Sequence, residues 1–137
     1  GSNVGAYSVF VAKNAGPNAR VIAVDPNAIV LKRLAFNAAA NGLANIVAVQ
    51  AGIADVDGEM EFALEETNMG GSSLQLDRAA RGGKTIFKVP VRTLANLVSE
   101  AGFDHVDAIK IDVEGFEDKV LIPYLSSVPR SLYPHLV

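Results

Sequence analysis

Hydrophobic residues in the first third of the chain form short apolar runs separated by a longer amphipathic stretch. The runs RVIAVD (20–25) and NIVAVQ (45–50) are short and rich in β-branched residues, which is typical of buried strands. The stretch between them, PNAIVLKRLAFNAAANG, has a polar stripe, with Pro26 near its start and Gly42 after its end, which predicts a helix. A strand, a helix and a strand in this order favour a parallel pair joined by a right-handed crossover.

Three further segments carry helix signals. NVGAYSVFVAKNAG (3–16) ends at a glycine that is followed by proline, which stops a helix. Thr93 can cap a helix over 94–101. Another helix is predicted from Phe116 onward, and Pro123 is expected to kink or end it.

The middle of the chain alternates with a period of two. After the hairpin turn signal Asp57-Gly58, apolar and polar residues alternate over 60–64, as on a half-buried strand. The stretch TIFKVPV (85–91) alternates again, and Pro90 predicts an edge or strand-end position. We therefore expect an antiparallel insert between the parallel strands.

The order of elements, with VDAIKID (106–112) as a further strand, predicts an α/β fold built on a doubly wound, mostly parallel sheet. The first strand of that sheet, normally central, would precede Gly1 and is missing from this chain. We interpret residues 1–137 as a single domain that is truncated at both ends. Gly1 and Ser2 are either native residues or a cloning remnant.

Composition and charge narrow the function classes. The net charge of -3 argues against a nucleic-acid partner, which usually meets a basic patch. The chain has no cysteine, and its two histidines, His105 and His135, lie too far apart to suggest a metal site. No apolar run reaches about 18 residues and there is no signal peptide, so we expect no membrane partner and a cytoplasmic location.

Two features at the predicted carboxyl edge of the sheet point to a ligand crevice. In GSNVG (1–5), Gly1 and Gly5 flank Asn3 just before a helix, where the backbone can approach an anionic group. The alternative is a plain glycine turn. Asp25 ends a strand and can accept hydrogen bonds from ribose hydroxyls, or it can serve as a helix N-cap.

Two more features map to the same edge. Small residues in QAGIAD (50–55) leave room for a flat base, and Asp55 can accept a hydrogen bond from an amino group, although a simple strand end explains them equally. In IKIDVEG, the charged residues Lys110, Asp112 and Glu114 alternate with apolar ones, so they share one side of the strand. They form either a charged cluster at the mouth of a site or a local Lys110–Asp112 pair.

Taken together, these stretches resemble the FkbM family of methyltransferases, which use S-adenosylmethionine and have the class I Rossmann-like fold. The resemblance covers nearly the whole chain, although the aspartate that normally introduces the family's glycine motif is absent. Its most specific signature is similar to IKIDVEGFEDKVL. Its other motifs are similar to GSNVGAYSVFVAK, VIAVDPN, LAFNAAANGLANIVAVQAGIADVDG, GGSSL and VPVRTL.

The resemblance implies a cofactor and a set of site residues. The glycine segment would line the methionine part of S-adenosylmethionine and Asp25 would hold the ribose. Ala54 and Asp55 would sit by the adenine, and Lys110, Asp112 and Glu114 would border the methyl and the acceptor. Because methylation of a hydroxyl requires removal of its proton, Asp112 or Glu114 is the candidate base. Lys110 would steady the charge of these acids or orient the acceptor. The predicted catalytic residues are Lys110, Asp112 and Glu114. Ser72 and Ser73 are the predicted acceptor residues, unless they belong to a plain surface loop. The predicted cofactor residues are Gly1, Ser2, Asn3, Gly5, Asp25, Pro26, Ala54 and Asp55.

The predicted function is therefore S-adenosylmethionine-dependent methylation, on oxygen, of a small-molecule or sugar-like acceptor. One alternative is a nucleotide-cofactor oxidoreductase, but the glycine spacing G-x-N-x-G differs from the G-x-G-x-x-G of dinucleotide binders. The other alternative is a non-catalytic α/β binding module that retains the fold.

Overall fold

The computed structural model describes residues 1–65 and 84–137, which form a mixed α/β structure of four α-helices and two small sheets. No helix in these two segments combines the length and apolar character needed to cross a membrane. In chain order the elements are α1 (Ala6–Asn14), β1 (Val21–Val24), α2 (Ala28–Ala40), β2 (Ile46–Val49), β3 (Gly52–Ile53), β4 (Gly58–Glu65), β5 (Lys84–Arg92), α3 (Leu94–Glu100), α4 (Glu117–Ser127) and a short 3-10 helix (Arg130–Leu132).

The first sheet is the predicted parallel pair. β1 and β2 pair in parallel from Val21 opposite Ile46 onward, and α2 connects them. The buried side of α2 presents Leu31 and Leu34 to Ala23 of β1, and Ile46 packs against this cluster. The strand–helix–strand prediction is confirmed, because the apolar face of α2 and the β-branched strands bury each other.

The second sheet contains the predicted antiparallel insert. β4 and β5 pair antiparallel from Gly58 opposite Val91 onward, and the sheet order is β3, β5, β4. The Phe62 and Val89 side chains are both buried. Phe62 also packs edge to face on Phe87, with the ring centroids 5.3 Å apart.

Two local predictions for this sheet need correction. Asp57-Gly58 is not a hairpin turn, because β3 and β4 each pair with β5, which lies between them. Pro90 lies in the central strand and not in an edge strand, although it is close to the end of that strand at Arg92, as the other alternative of the prediction has it. It is tolerated there because β3 reaches β5 only at Val91 and Arg92, so within the described segments β5 pairs at Pro90 with β4 alone.

The predicted strand over 106–112 is wrong as a strand. Within the described residues this segment forms one isolated parallel β-bridge, between Ala108 and Leu136. A hydrogen bond of 2.9 Å from Ile109 N to the Leu136 oxygen supports the bridge. A strand needs a run of paired neighbours, and this segment has one bridge. The described strands consequently form two small sheets and not one continuous doubly wound sheet.

The helices predicted around this segment are present. The Thr93 hydroxyl accepts the N–H of Asn96 at 3.2 Å and so caps α3, as expected. α4 continues through Pro123 to Ser127, so Pro123 does not end this helix.

Candidate active site

The glycine segment, residues 1–5, runs against the carboxyl end of β1. A Cβ on Gly1 would lie 2.5 Å from the Val24 oxygen and 3.0 Å from Oδ2 of Asp25, so a side chain there would collide with the strand. Gly5 has φ 89°, and a Cβ on it would lie 2.7 Å from Cγ of Leu34 in α2. Glycine is therefore required at both positions, by close approach at Gly1 and by both close approach and backbone conformation at Gly5.

Asp25 connects the glycine segment to the start of α2. The residue is 6% exposed, and its carboxylate accepts two backbone hydrogen bonds, from Asn3 N to Oδ2 at 2.9 Å and from Asn27 N to Oδ1 at 3.0 Å. The helix cap itself is Asn27, whose Oδ1 accepts the N–H of Ile29 at 2.9 Å. The N-cap role considered for Asp25 is thus wrong, and Asp25 instead holds both the capping residue and the glycine segment.

Lys110 and Asp112 meet the glycine segment from the other side. Lys110 Nζ lies 3.0 Å from Oδ2 of Asp112 and donates to the Gly1 oxygen at 3.4 Å. The Gly1 nitrogen in turn donates to the Asp112 backbone oxygen at 2.9 Å. The hydrogen bond from Lys110, and then its charge, lower the pKa of the Asp112 carboxyl below its ordinary value of 3.8. The local pair considered from the sequence is present, and it also contacts the glycine segment.

Glu114 lies in a tight turn that follows Asp112. Glu114 and Gly115 both have left-handed backbone conformations, with φ 53° and 92°. Such a conformation in a non-glycine residue costs on the order of 1–3 kcal/mol and is common at functional sites. The turn is held by Glu117, whose Oε1 accepts the N–H groups of Val113 at 3.2 Å and Gly115 at 3.4 Å.

Glu117 was not among the predicted site residues, although an acid in the first turn of a helix is a recognisable signal. The hydrogen bond from its own N–H, and then that from Val113, lower the pKa of the Glu117 carboxyl. Glu117 is therefore an ionised acceptor at neutral pH and keeps the Glu114 turn in place.

The predicted adenine residues follow β3 of the second sheet. Ala54 N donates to the Arg92 oxygen at 3.1 Å, and the exposed Asp55 follows it after β3, in the second sheet. Neither residue is hydrogen-bonded to Asp25 or to the glycine segment within the described structure. Gln50, which the sequence analysis did not single out, is closer to the cluster, since its Nε2 donates to the Pro26 oxygen at 3.3 Å. The predicted acceptor residues Ser72 and Ser73 lie outside the described residues.

Fold and site together define an α/β protein with a cluster of polar residues at the carboxyl end of a parallel strand, the edge of the sheet at which proteins of this class bind small ligands. The family model described as Methyltransferase FkbM domain matches residues 1–132 of the 137-residue chain. The chain therefore belongs to the FkbM methyltransferase family, and the predicted family is confirmed. Neither the comparison with curated proteins nor the comparison with solved structures found a match.

Proposed function

We propose that this chain is an S-adenosylmethionine-dependent methyltransferase that methylates a hydroxyl oxygen of a small-molecule or sugar-like acceptor. The family match supports methyl transfer. One observation carries the proposed site: residues 1–3 are hydrogen-bonded to Val24 and Asp25 on one side and to Asp112 on the other. A single ligand above the glycine segment can therefore reach a ribose-type acceptor and a charged cluster at once.

The residues present fit such a cofactor. Buried polar atoms need hydrogen-bond partners, yet Ser2 Oγ, in the glycine segment, and Asn27 Nδ2, two residues after Asp25, have none among the described residues. Gly1 lets the backbone lie directly against Val24 and Asp25, where a side chain would not fit. When bound, S-adenosylmethionine supplies an activated methyl group on a cationic sulfonium, together with ribose hydroxyls and a carboxylate.

Asp25 is the proposed ribose-binding residue. Each oxygen of an ionised carboxylate can accept two hydrogen bonds, and each Asp25 oxygen accepts one recorded backbone N–H. The remaining acceptor capacity on Oδ2 lies next to Gly1, where a Cβ would come within 3.0 Å. In this proposal a ribose hydroxyl would donate to that remaining acceptor capacity.

We assign the role of base to Glu114 rather than to Asp112. Lys110 keeps the pKa of Asp112 low, and a carboxylate stabilised in its ionised form is a poor proton acceptor. Glu114 is exposed, sits on a strained backbone and forms no ion pair within the described residues. Glu114 would accept the proton of the acceptor hydroxyl, and Asp112 would supply negative charge near the cationic donor.

Isothermal titration of the full-length protein with S-adenosylmethionine and, separately, with NAD tests the proposal. We expect binding of S-adenosylmethionine and none of NAD. Binding of NAD alone would identify the oxidoreductase alternative and sink the proposal. A transfer assay with methyl-labelled S-adenosylmethionine and a panel of sugar-like alcohols then tests the chemistry. Cofactor binding without transfer to any hydroxyl would overturn the assignment of oxygen as the methylated atom.

A further inference from the structure

Tyr7, in the first turn of α1, is 68% exposed, yet its ring contacts the charged cluster. The Lys110 ammonium lies 5.5 Å from the centroid of the Tyr7 ring. At this distance the negative face of an aromatic ring attracts a cation. The contact joins the first helix directly to the residues assigned to chemistry.

The Lys110 ammonium has three neighbours in the described structure. It donates to Asp112 Oδ2 at 3.0 Å and to the Gly1 oxygen at 3.4 Å, and the Tyr7 ring lies near it as well. An ammonium has three N–H donors, so these neighbours leave little capacity for a further ligand. The Lys110 side chain is 42% exposed, and in the absence of the ring its flexible stem would have more rotamers available.

We propose that Tyr7 is a positioning residue of the candidate site, which holds the Lys110 ammonium against Asp112. Lys110 then acts as a fixed counter-ion of Asp112 and not as a contact for the acceptor. This inference rests on the proposed function for its effect on turnover, but the contact between the ring and the ammonium can be tested without any substrate.

Two substitutions separate the ring of Tyr7 from its hydroxyl. Tyr7→Phe keeps the aromatic face, and Tyr7→Leu removes it. We expect Tyr7→Phe to retain the wild-type kcat and Tyr7→Leu to lower kcat about two- to fivefold with an unchanged Kd for S-adenosylmethionine, the range for an exposed cation–π contact. Equal losses in both variants would show that the hydroxyl matters and would overturn the inference.

A spectroscopic readout makes the test independent of activity. NMR titration of the Asp112 side-chain carbon in the full-length protein reports how closely Lys110 is held, because a nearby cation moves the midpoint to lower pH. We expect the midpoint to rise in Tyr7→Leu and to stay at the wild-type value in Tyr7→Phe. An unchanged midpoint in Tyr7→Leu would overturn the inference.

Phe10→Leu is the matched control, since Phe10 lies on the same helix, is 67% exposed and has no cation over its ring within the described structure. We expect it to change neither kcat nor the Asp112 midpoint. The same midpoint shift in Phe10→Leu would point to a general effect of α1 and would count against Tyr7. If the wild-type protein does not bind S-adenosylmethionine, the proposed function fails, and the Asp112 titration still decides whether Tyr7 holds Lys110.

Discussion

The backbone nitrogen of Asn3 donates a hydrogen bond of 2.9 Å to Oδ2 of Asp25, which lies 22 residues further along the chain. This bond ties the glycine segment to the end of β1, and the second carboxylate oxygen ties the same strand end to the start of α2 through Asn27 N. Asp25 is thus a structural acceptor as well as the proposed ribose-binding residue. Loss of one carboxylate oxygen is therefore expected to weaken both roles.

Asp25→Asn is expected to impair stability and cofactor binding together. The amide NH₂ cannot accept a hydrogen bond, so one of the two backbone N–H groups loses its partner, at a cost of about 1–3 kcal/mol. Urea denaturation measures this loss, and titration calorimetry should show S-adenosylmethionine affinity reduced by roughly tenfold or more, the equivalent of at least one hydrogen bond to a charged group. The exposed Asp104 supplies the control Asp104→Asn. Unchanged affinity in Asp25→Asn would argue against the ribose role.

Gly5→Ala and Gly16→Ala form a matched pair that separates backbone strain from steric collision. Both glycines have positive φ, 89° and 101°, but only at Gly5 would the new Cβ meet a neighbour, Cγ of Leu34 at 2.7 Å. We expect the free energy of unfolding to fall by about 1–2 kcal/mol in Gly16→Ala, and by roughly a further 1–3 kcal/mol in Gly5→Ala, because that core must repack. Equal losses in urea denaturation would show that Leu34 moves aside freely.

Asp57→Asn is expected to lower the melting temperature. The Asp57 carboxylate accepts the N–H of Thr93 at 2.6 Å and that of Asn96 Nδ2 at 2.8 Å, and it pairs with Arg92 at 3.2 Å. It therefore fastens the start of β4 to the start of α3. The control is Asp55→Asn, two residues away and exposed, which we expect to leave the melting temperature nearly unchanged.

The same carboxylate predicts a pH dependence of stability. The backbone hydrogen bond from Thr93, followed by the bond from Asn96, lowers the pKa of Asp57 below its ordinary value of 3.8. Because the folded-state pKa is depressed, the stabilisation is fully present above the ordinary value of 3.8. It is lost as the pH falls from there through the folded-state pKa. Melting curves from pH 7 down to strong acid should show that acid lowers the melting temperature of Asp57→Asn less than that of the wild type. Parallel curves would contradict this.

Glu114→Gln and Asp112→Asn distinguish the base from its charged neighbour. We expect kcat to fall by about 10²–10⁴ in Glu114→Gln, the usual contribution of a general base, with the Kd for S-adenosylmethionine mostly retained. The kcat of Asp112→Asn should fall less than that of Glu114→Gln, because Asp112 is assigned an electrostatic role. Asp118→Asn, on the exposed side of α4, is the control. Full activity of Glu114→Gln together with loss in Asp112→Asn would reverse the assignment.

Local sequence signals determined the elements that depend on near neighbours. β1, α2, β2 and the Thr93-capped α3 lie within a few residues of their predicted bounds. Strand propensity, helix periodicity and caps act within a few residues, and these effects are legible in one stretch of chain. The motif around Asp112 and Glu114 likewise identified the family without any structure.

Tertiary structure decided what depends on distant partners. The segment 106–112 has the pattern of a strand, but strand formation needs a neighbour, and the recorded bridge pairs Ala108 with Leu136. Lys110 contacts Gly1, 109 residues away in sequence, and nothing in the spacing of either motif specifies that contact. The chain folds these positions together because burying the apolar faces of its helices and strands is favourable, and the polar contacts between distant residues follow from that packing.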